Sequence, residues 1–216
     1  MIVLDVKQGT DEWLRARAGI PTASELDNIV SPTLKLRTGE MPQSYAARKV
    51  AERWLGYPMQ SFSGGVMEQG SILESEAIPL LEIRLGATIE RHGFITTDDG
   101  TFGCSPDGVF GCSGLEIKCP QPPNHVRWLT RGGCPPEHLL QCHGGMYVTG
   151  AAEWKFVSYC RGLPLLMVRV TRSQEAIDAI GEALRELGKI SEAMYAAVLA
   201  ANGGNANVEG DDDHPF

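Results

Sequence analysis

Cys104-Ser105-Pro106-Asp107-Gly108-Val109-Phe110-Gly111-Cys112-Ser113-Gly114-Leu115-Glu116-Ile117-Lys118 is the stretch on which the reading of this chain turns. It places two carboxylates and one ammonium within a short span. Gly108, Gly111 and Gly114 permit a tight reversal between its ends. Paired as antiparallel strands, those ends bring Asp107 and Glu116 to one side. Glu116 and Lys118 are two apart, so a strand points both to the same face. Two convergent carboxylates make an all-oxygen site suited to Mg²⁺ or Mn²⁺. A lysine beside them suits phosphoryl transfer, in which charge develops on phosphate oxygens. Taken alone, the same residues also fit a surface hairpin with scattered charges.

Working outward, the 216 residues suffice for one compact domain with a substantial core. A composition of 43% hydrophobic and 21% charged residues is that of a soluble globular protein. No apolar run approaches the roughly 20 residues of a membrane span, so no membrane partner is expected. Met1-Ile-Val-Leu-Asp-Val-Lys7 has neither the basic nor the long apolar region of a secretory signal, and cytoplasmic residence follows as the default. The six cysteines are then expected to be reduced. Cys134, His138, Cys142 and His143 offer zinc-ligand types, but no Cys-x-x-Cys accompanies them. A formal charge of −8 excludes a generic nucleic-acid coat. Bases nonetheless gather early, at Arg15, Arg17, Lys35, Arg37, Arg48, Lys49 and Arg53.

Pattern and punctuation predict a mixed α/β domain with helices flanking a central sheet. Thr10 caps a first helix with Asp11 and Glu12 in its first turn, and Thr22-Ala-Ser-Glu25 fits a capping box opening a second. Residues 31–42 are expected as loop, 43–55 as a third helix, and Met67 to Leu85 as a fourth that Pro79 kinks or splits. Strands are expected at 87–96, 101–106 and 114–119, with a turn at Asp98-Asp99-Gly100. A Pro- and Gly-rich loop precedes a helix over 136–148. Residues 154–160 and 164–170 form a hairpin, and Ser173 caps a long helix to about Ala201. Residues 1–201 are therefore read as one domain and 202–216 as a disordered acidic tail. Trp13 and Trp54 are expected in the core. Glu74 is the best third carboxylate, with Glu68 and Glu76 as competitors.

Pro106-Asp107 with Glu116-Ile117-Lys118 resembles the active-site motif of the PD-(D/E)xK nucleases. Further blocks narrow the likeness. Trp13 to Glu25, Gly70-x-x-x-Glu74, Cys104 to Gly108, Gly114 to Pro120 and Gln141 to Thr149 resemble, in order, the motifs of the bacteriophage lambda exonuclease, or YqaJ, family. The resemblance implies a restriction-endonuclease-like central mixed β-sheet flanked by helices. It implies a metal-dependent exonuclease that digests double-stranded DNA from 5′ ends, releases 5′-mononucleotides and leaves 3′ tails for a single-strand annealing protein. A ring-shaped homotrimer is implied as well. Residue by residue, Asp107, Glu116, Glu74 and the backbone carbonyl of Ile117 would bind two Mg²⁺ ions, with Mn²⁺ as a substitute. Lys118 would contact the scissile phosphate and water, and Gln141 would flank the water. Arg17 and Ser24 would hold the terminal 5′-phosphate. Ser24 in the first turn of a capped helix and a bidentate Arg17 suit that role. A surface salt bridge for Arg17 is the alternative.

The segment Asp211-Asp212-Asp213-His214-Pro215-Phe216 resembles the acidic tip of bacterial single-stranded-DNA-binding proteins, with His214 departing from the usual isoleucine. It is a candidate docking peptide for a host protein, or simply a solubilising tail. Competing functions are a structure-specific endonuclease or 3′-end nuclease on the same core, and a non-catalytic DNA-end-binding module.

Overall fold

The computed structural model describes residues 1–59 and 64–203, the side chains of 64–71 excepted. Two sheets organise it, where the sequence pattern predicts one. The first is antiparallel, in the order β1 (Ile2–Leu4), β2 (Phe94–Thr96), β3 (Gly103–Cys104). The second is mixed, in the order β4 (Gly108–Phe110), β5 (Ser113–Lys118), β6 (Glu153–Ser158), β7 (Leu166–Thr171). β4 and β5 form the expected tight hairpin, Phe110 opposite Ser113 and Gly108 opposite Leu115. β5 and β6 run parallel, and β6 and β7 antiparallel.

Parallel strands require a crossover. Here it consists of two helices, α4 (Pro122–Arg131) and α5 (Pro136–Thr149). The first lies in the segment expected as loop. Pro122 and Pro123 open it rather than break it, because the first turn needs no N–H from them. His125 anchors α4, fully buried, with Nδ1 2.7 Å from Ser158 Oγ and Nε2 2.9 Å from the Pro164 carbonyl. The remaining helices are α1 (Asp11–Arg17), a 3-10 helix (Ala23–Asn28), α2 (Glu40–Leu55), α3 (Gly64–Leu85) and α6 (Gln174–Ala201). Thr10 and Ser173 cap α1 and α6 as their sequences predict. α3 passes Pro79 as one element, and α2 begins earlier than expected, at Glu40.

The strand expected over 87–96 is divided between the sheets. Glu90 and Val109 exchange two 2.8 Å backbone hydrogen bonds, joining the second sheet, whereas Phe94–Thr96 belongs to the first. The chain changes sheets at Arg91-His92-Gly93. Gly93 is required there, since a Cβ would stand 1.6 Å from the Val6 carbonyl oxygen. Leu115 and Ile117 pack with Ala77 and Leu81 of α3 beneath the second sheet. A second cluster joins the 3-10 helix, α2, α5 and α6 around Leu26, Tyr45 and Ile180. Trp54 is not core: it is half-buried, edge-on to Tyr195 at 5.9 Å. Among the described residues no helix is long and apolar enough to cross a membrane. The tail from residue 204 lies outside the description, as does the Glu68 side chain.

Candidate active site

Strand alternation sets the site. With Leu115 and Ile117 turned to the apolar cluster, Glu116 and Lys118 face the opposite side. Asp107 directly precedes β4. Its N–H donates to the Leu115 carbonyl at 3.1 Å, and its Oδ2 accepts from the Ile117 N–H. The Lys118 carbonyl accepts from Tyr159 on the β6 side. Carbonyls alternate along a strand, so that of Ile117 points the other way, towards Asp107. Glu74, one turn before Ala77 on α3, lines the same cleft. Glu76 is instead bound to Arg161 and Tyr159. The cleft, about 940 Å³, also takes in Arg17, Ser24 and Gln141. All seven candidate side chains therefore line one concavity, although they lie on six different segments.

Like charge and burial act together on the carboxylates. Burial, then the charge of Asp107, pushes Glu116 up to about 8 against the opposing pull of Lys118. Burial and Asp107 push Glu74 up to about 7, opposed by Lys118 and Arg91. Asp107 is raised by burial against the Ile117 N–H, Lys118 and Arg91. Burial alone would lower Lys118. The Glu116 charge and a 2.6 Å contact outweigh it, and the ammonium is held above its ordinary value.

Among the described residues no three His, Cys, Asp or Glu side chains are gathered about one point, and Glu116 is turned onto Lys118. The donor set nevertheless fits a hard divalent ion. It is all oxygen, three carboxylates and one backbone carbonyl, and its members repel one another without a cation between them.

Another part of the cleft lining is built on α1 and the 3-10 helix. The Arg17 guanidinium lies 4.2 Å from the Trp13 ring centroid, and no carboxylate pairs with it among the described residues. Glu25, the acid beside it, is engaged by Arg48 at 2.7 Å and Lys49 at 3.1 Å. The capping box predicted at Thr22 does not form. The segment winds as a 3-10 helix, Thr22 makes no side-chain cap, and its hydroxyl instead meets Ser24 Oγ at 3.2 Å and Glu25 Oε2 at 3.3 Å. A six-residue 3-10 helix carries little dipole, so Arg17 and the exposed Ser24 hydroxyl are what this part of the lining offers an anion.

Trp13 is a wall of the cleft rather than core. Its Nε1 donates to the Gly93 carbonyl at 2.9 Å and to Ser105 Oγ at 3.0 Å. Gln8, which the sequence reading does not single out, clamps two segments together: its Nε2 donates to the carbonyls of Pro106 at 2.9 Å and His92 at 3.1 Å. Gln141 reaches the cleft because α5 is flat beside it. A Cβ on Gly144 would meet Ala23 at 2.7 Å, and one on Gly145 would meet the Trp154 ring at 2.6 Å. Of the zinc-ligand types, His138 stacks on Phe156 and meets Trp128 edge-on, Cys134 Sγ donates to the Pro135 carbonyl at 3.6 Å, and Cys142 is fully buried.

A mixed α/β core with Pro106-Asp107 leading into one strand of a hairpin and Glu116-Ile117-Lys118 on the other has the layout of the PD-(D/E)xK nuclease motif. More narrowly, residues 12–152 match the YqaJ-like viral recombinase domain, and the chain belongs to that family. It is similar to the alkaline exonuclease LHK-Exo from Laribacter hongkongensis, at 28% identity and a TM-score of 0.79 over 90% of this chain and 98% of that one. The structure of LHK-Exo in complex with dAMP gives the same figures. A phage-related exonuclease from Haemophilus somnus 129PT, at 14% identity and a TM-score of 0.63 over 83% of this chain and 96% of that one, shares the fold. No curated protein sequence matches this one. Fold and family make the protein a hydrolase of the nuclease type.

Proposed function

We propose that the protein is a metal-dependent 5′→3′ exonuclease of double-stranded DNA, releasing 5′-mononucleotides and leaving 3′ single-stranded tails for recombination by strand annealing. The observation that carries this reading is the single cleft holding Asp107, Glu116, Glu74 and Lys118 together with Arg17 and Ser24. Two bound Mg²⁺ ions, or Mn²⁺ in their place, would acidify water and offset charge on the phosphate. Asp107, Glu116, Glu74 and the Ile117 carbonyl would hold them. Lys118 places an ammonium where negative charge develops on the scissile phosphate, and Gln141 orients the attacking water. Arg17 and Ser24 bind the terminal phosphate, so each cut starts from an end and regenerates one. In this account the protein works in the cytoplasm as a homotrimeric ring beside an annealing protein, and Asp211–Phe216 docks on a host protein that accepts single-stranded-DNA-binding-protein-like tails.

Chromatography of the products tests the reaction class. Linear duplex should yield mononucleotides only with a divalent ion and intact Glu116, while closed circles resist. Nicked or linearised circles would instead indicate an endonuclease.

A further inference from the structure

We infer that Arg91 binds a backbone phosphate of the strand being cut, beside the carboxylates, as a second phosphate-contacting residue distinct from Arg17. This rests on the nuclease reading above. Arg91 sits where the chain changes sheets, and its backbone is fixed on both sides. Before it, Glu90 is locked to Val109 by two 2.8 Å hydrogen bonds. After it, Gln8 holds the His92 carbonyl together with that of Pro106, the residue preceding Asp107. Trp13 holds the Gly93 carbonyl at 2.9 Å. The position of Arg91 relative to Asp107 is thus set by the fold.

Its side chain, by contrast, is exposed, lines the cleft and makes no hydrogen bond or ion pair among the described residues. Of the other cleft cations, Lys118 is engaged by Glu116 and Arg17 by the Trp13 ring, while Lys7 also lines the cleft. Arg91 follows the Glu90–Val109 bridge that joins it to the strand after Asp107, whereas Arg17 comes from α1 and stacks on Trp13, so the two guanidiniums are carried by different elements of the cleft. A strand in the cleft presents its terminal phosphate to one guanidinium and the next linkage to the other. A planar guanidinium with a fixed base and free donors is suited to grip the second bidentately.

Equilibrium binding of 5′-phosphorylated duplex, without divalent ions and across a salt series, tests this. Arg91→Gln should weaken binding about tenfold and flatten the slope of log affinity against log salt by about 0.9. The loss should be equal for phosphorylated and unphosphorylated ends, and Arg91→Lys should recover most of the slope. Arg17→Gln, in contrast, should abolish the preference for a 5′-phosphate. Wild-type affinity and slope in Arg91→Gln, with or without a shifted pH–rate profile, would overturn the assignment. A wild-type protein that binds duplex ends but degrades nothing would count against the nuclease reading and leave the Arg91 assignment to stand or fall on its own salt slope.

Discussion

Glu116 is 4% exposed and Lys118 touches it, so the central ion pair of the site is neither a surface contact nor a sealed one. The spacing Glu-x-Lys made their shared face legible, because a strand has a period of two. Arg91 and Gln8 were not legible: each is a lone residue, brought to the site by a change of sheet that no local pattern announces. Lys118→Ala removes the ammonium without emptying the core. Turnover should fall at least about a hundredfold while duplex binding persists, and single-turnover assays beside binding isotherms measure both. The raised carboxylates have a consequence for stability. A folded-state pKa above the unfolded one stabilises at low pH and is lost as pH rises through the folded value. For Glu74 and Glu116 that window runs from about 4.5 to about 7 and about 8. Without divalent ions, their contribution to Tm should therefore decline between pH 5 and 8.5. Added Mg²⁺ should raise Tm more at pH 8 than at pH 5, since the ion competes with the protons. An equal Mg²⁺ effect at both pH values would remove these carboxylates from the ion site.

Elements meet through glycines in this fold. Trp154 on β6 is enclosed by Gly114 of β5 and Gly145 of α5, and a Cβ on Gly114 would lie 2.2 Å from its ring. Gly114→Ala should cost about 1–3 kcal/mol in urea unfolding. Gly188 in α6 is exposed, with nothing within 4 Å of an added Cβ, and Gly188→Ala should instead stabilise by about 0.5–1 kcal/mol. The joint between the 3-10 helix and α2 responds to acid. Burial raises the Glu25 pKa, but Lys49 and Arg48 together bring it down to about 2. A depressed folded-state pKa stabilises above the unfolded value, and the benefit disappears as pH falls from about 4.5 through about 2. Glu25→Gln should remove that part of the acid sensitivity and leave Arg48 and Lys49 undercompensated at neutral pH. Acid titration followed by circular dichroism measures it. Helices with caps and periodic apolar faces were readable at this scale. α4 was not, because two prolines mark a helix start as readily as a loop. The predicted capping box failed because the Thr22 and Glu25 side chains bond one another within a buried charge network rather than the backbone.

Across the whole molecule, an acidic chain of net charge −8 concentrates Arg17, Arg91 and Lys118 in one cleft. Average composition therefore concealed this local gathering of cations. The ordered motif blocks disclosed the family; the division into two sheets emerged only in three dimensions, since a strand shared between sheets reads in sequence as one uninterrupted run. Direction of digestion is the central claim, and it rests on the proposed binding of the terminal phosphate by Arg17 and Ser24 in the same cleft as the carboxylates. Linear duplex labelled at either the 5′ or the 3′ terminus, with and without a 5′-phosphate and in Mg²⁺, tests it most directly. The account predicts immediate release of the 5′ label as mononucleotide, fastest from phosphorylated ends, with the 3′ label retained on a shortening duplex. Early release of the 3′ label, or indifference to the 5′-phosphate, would contradict it.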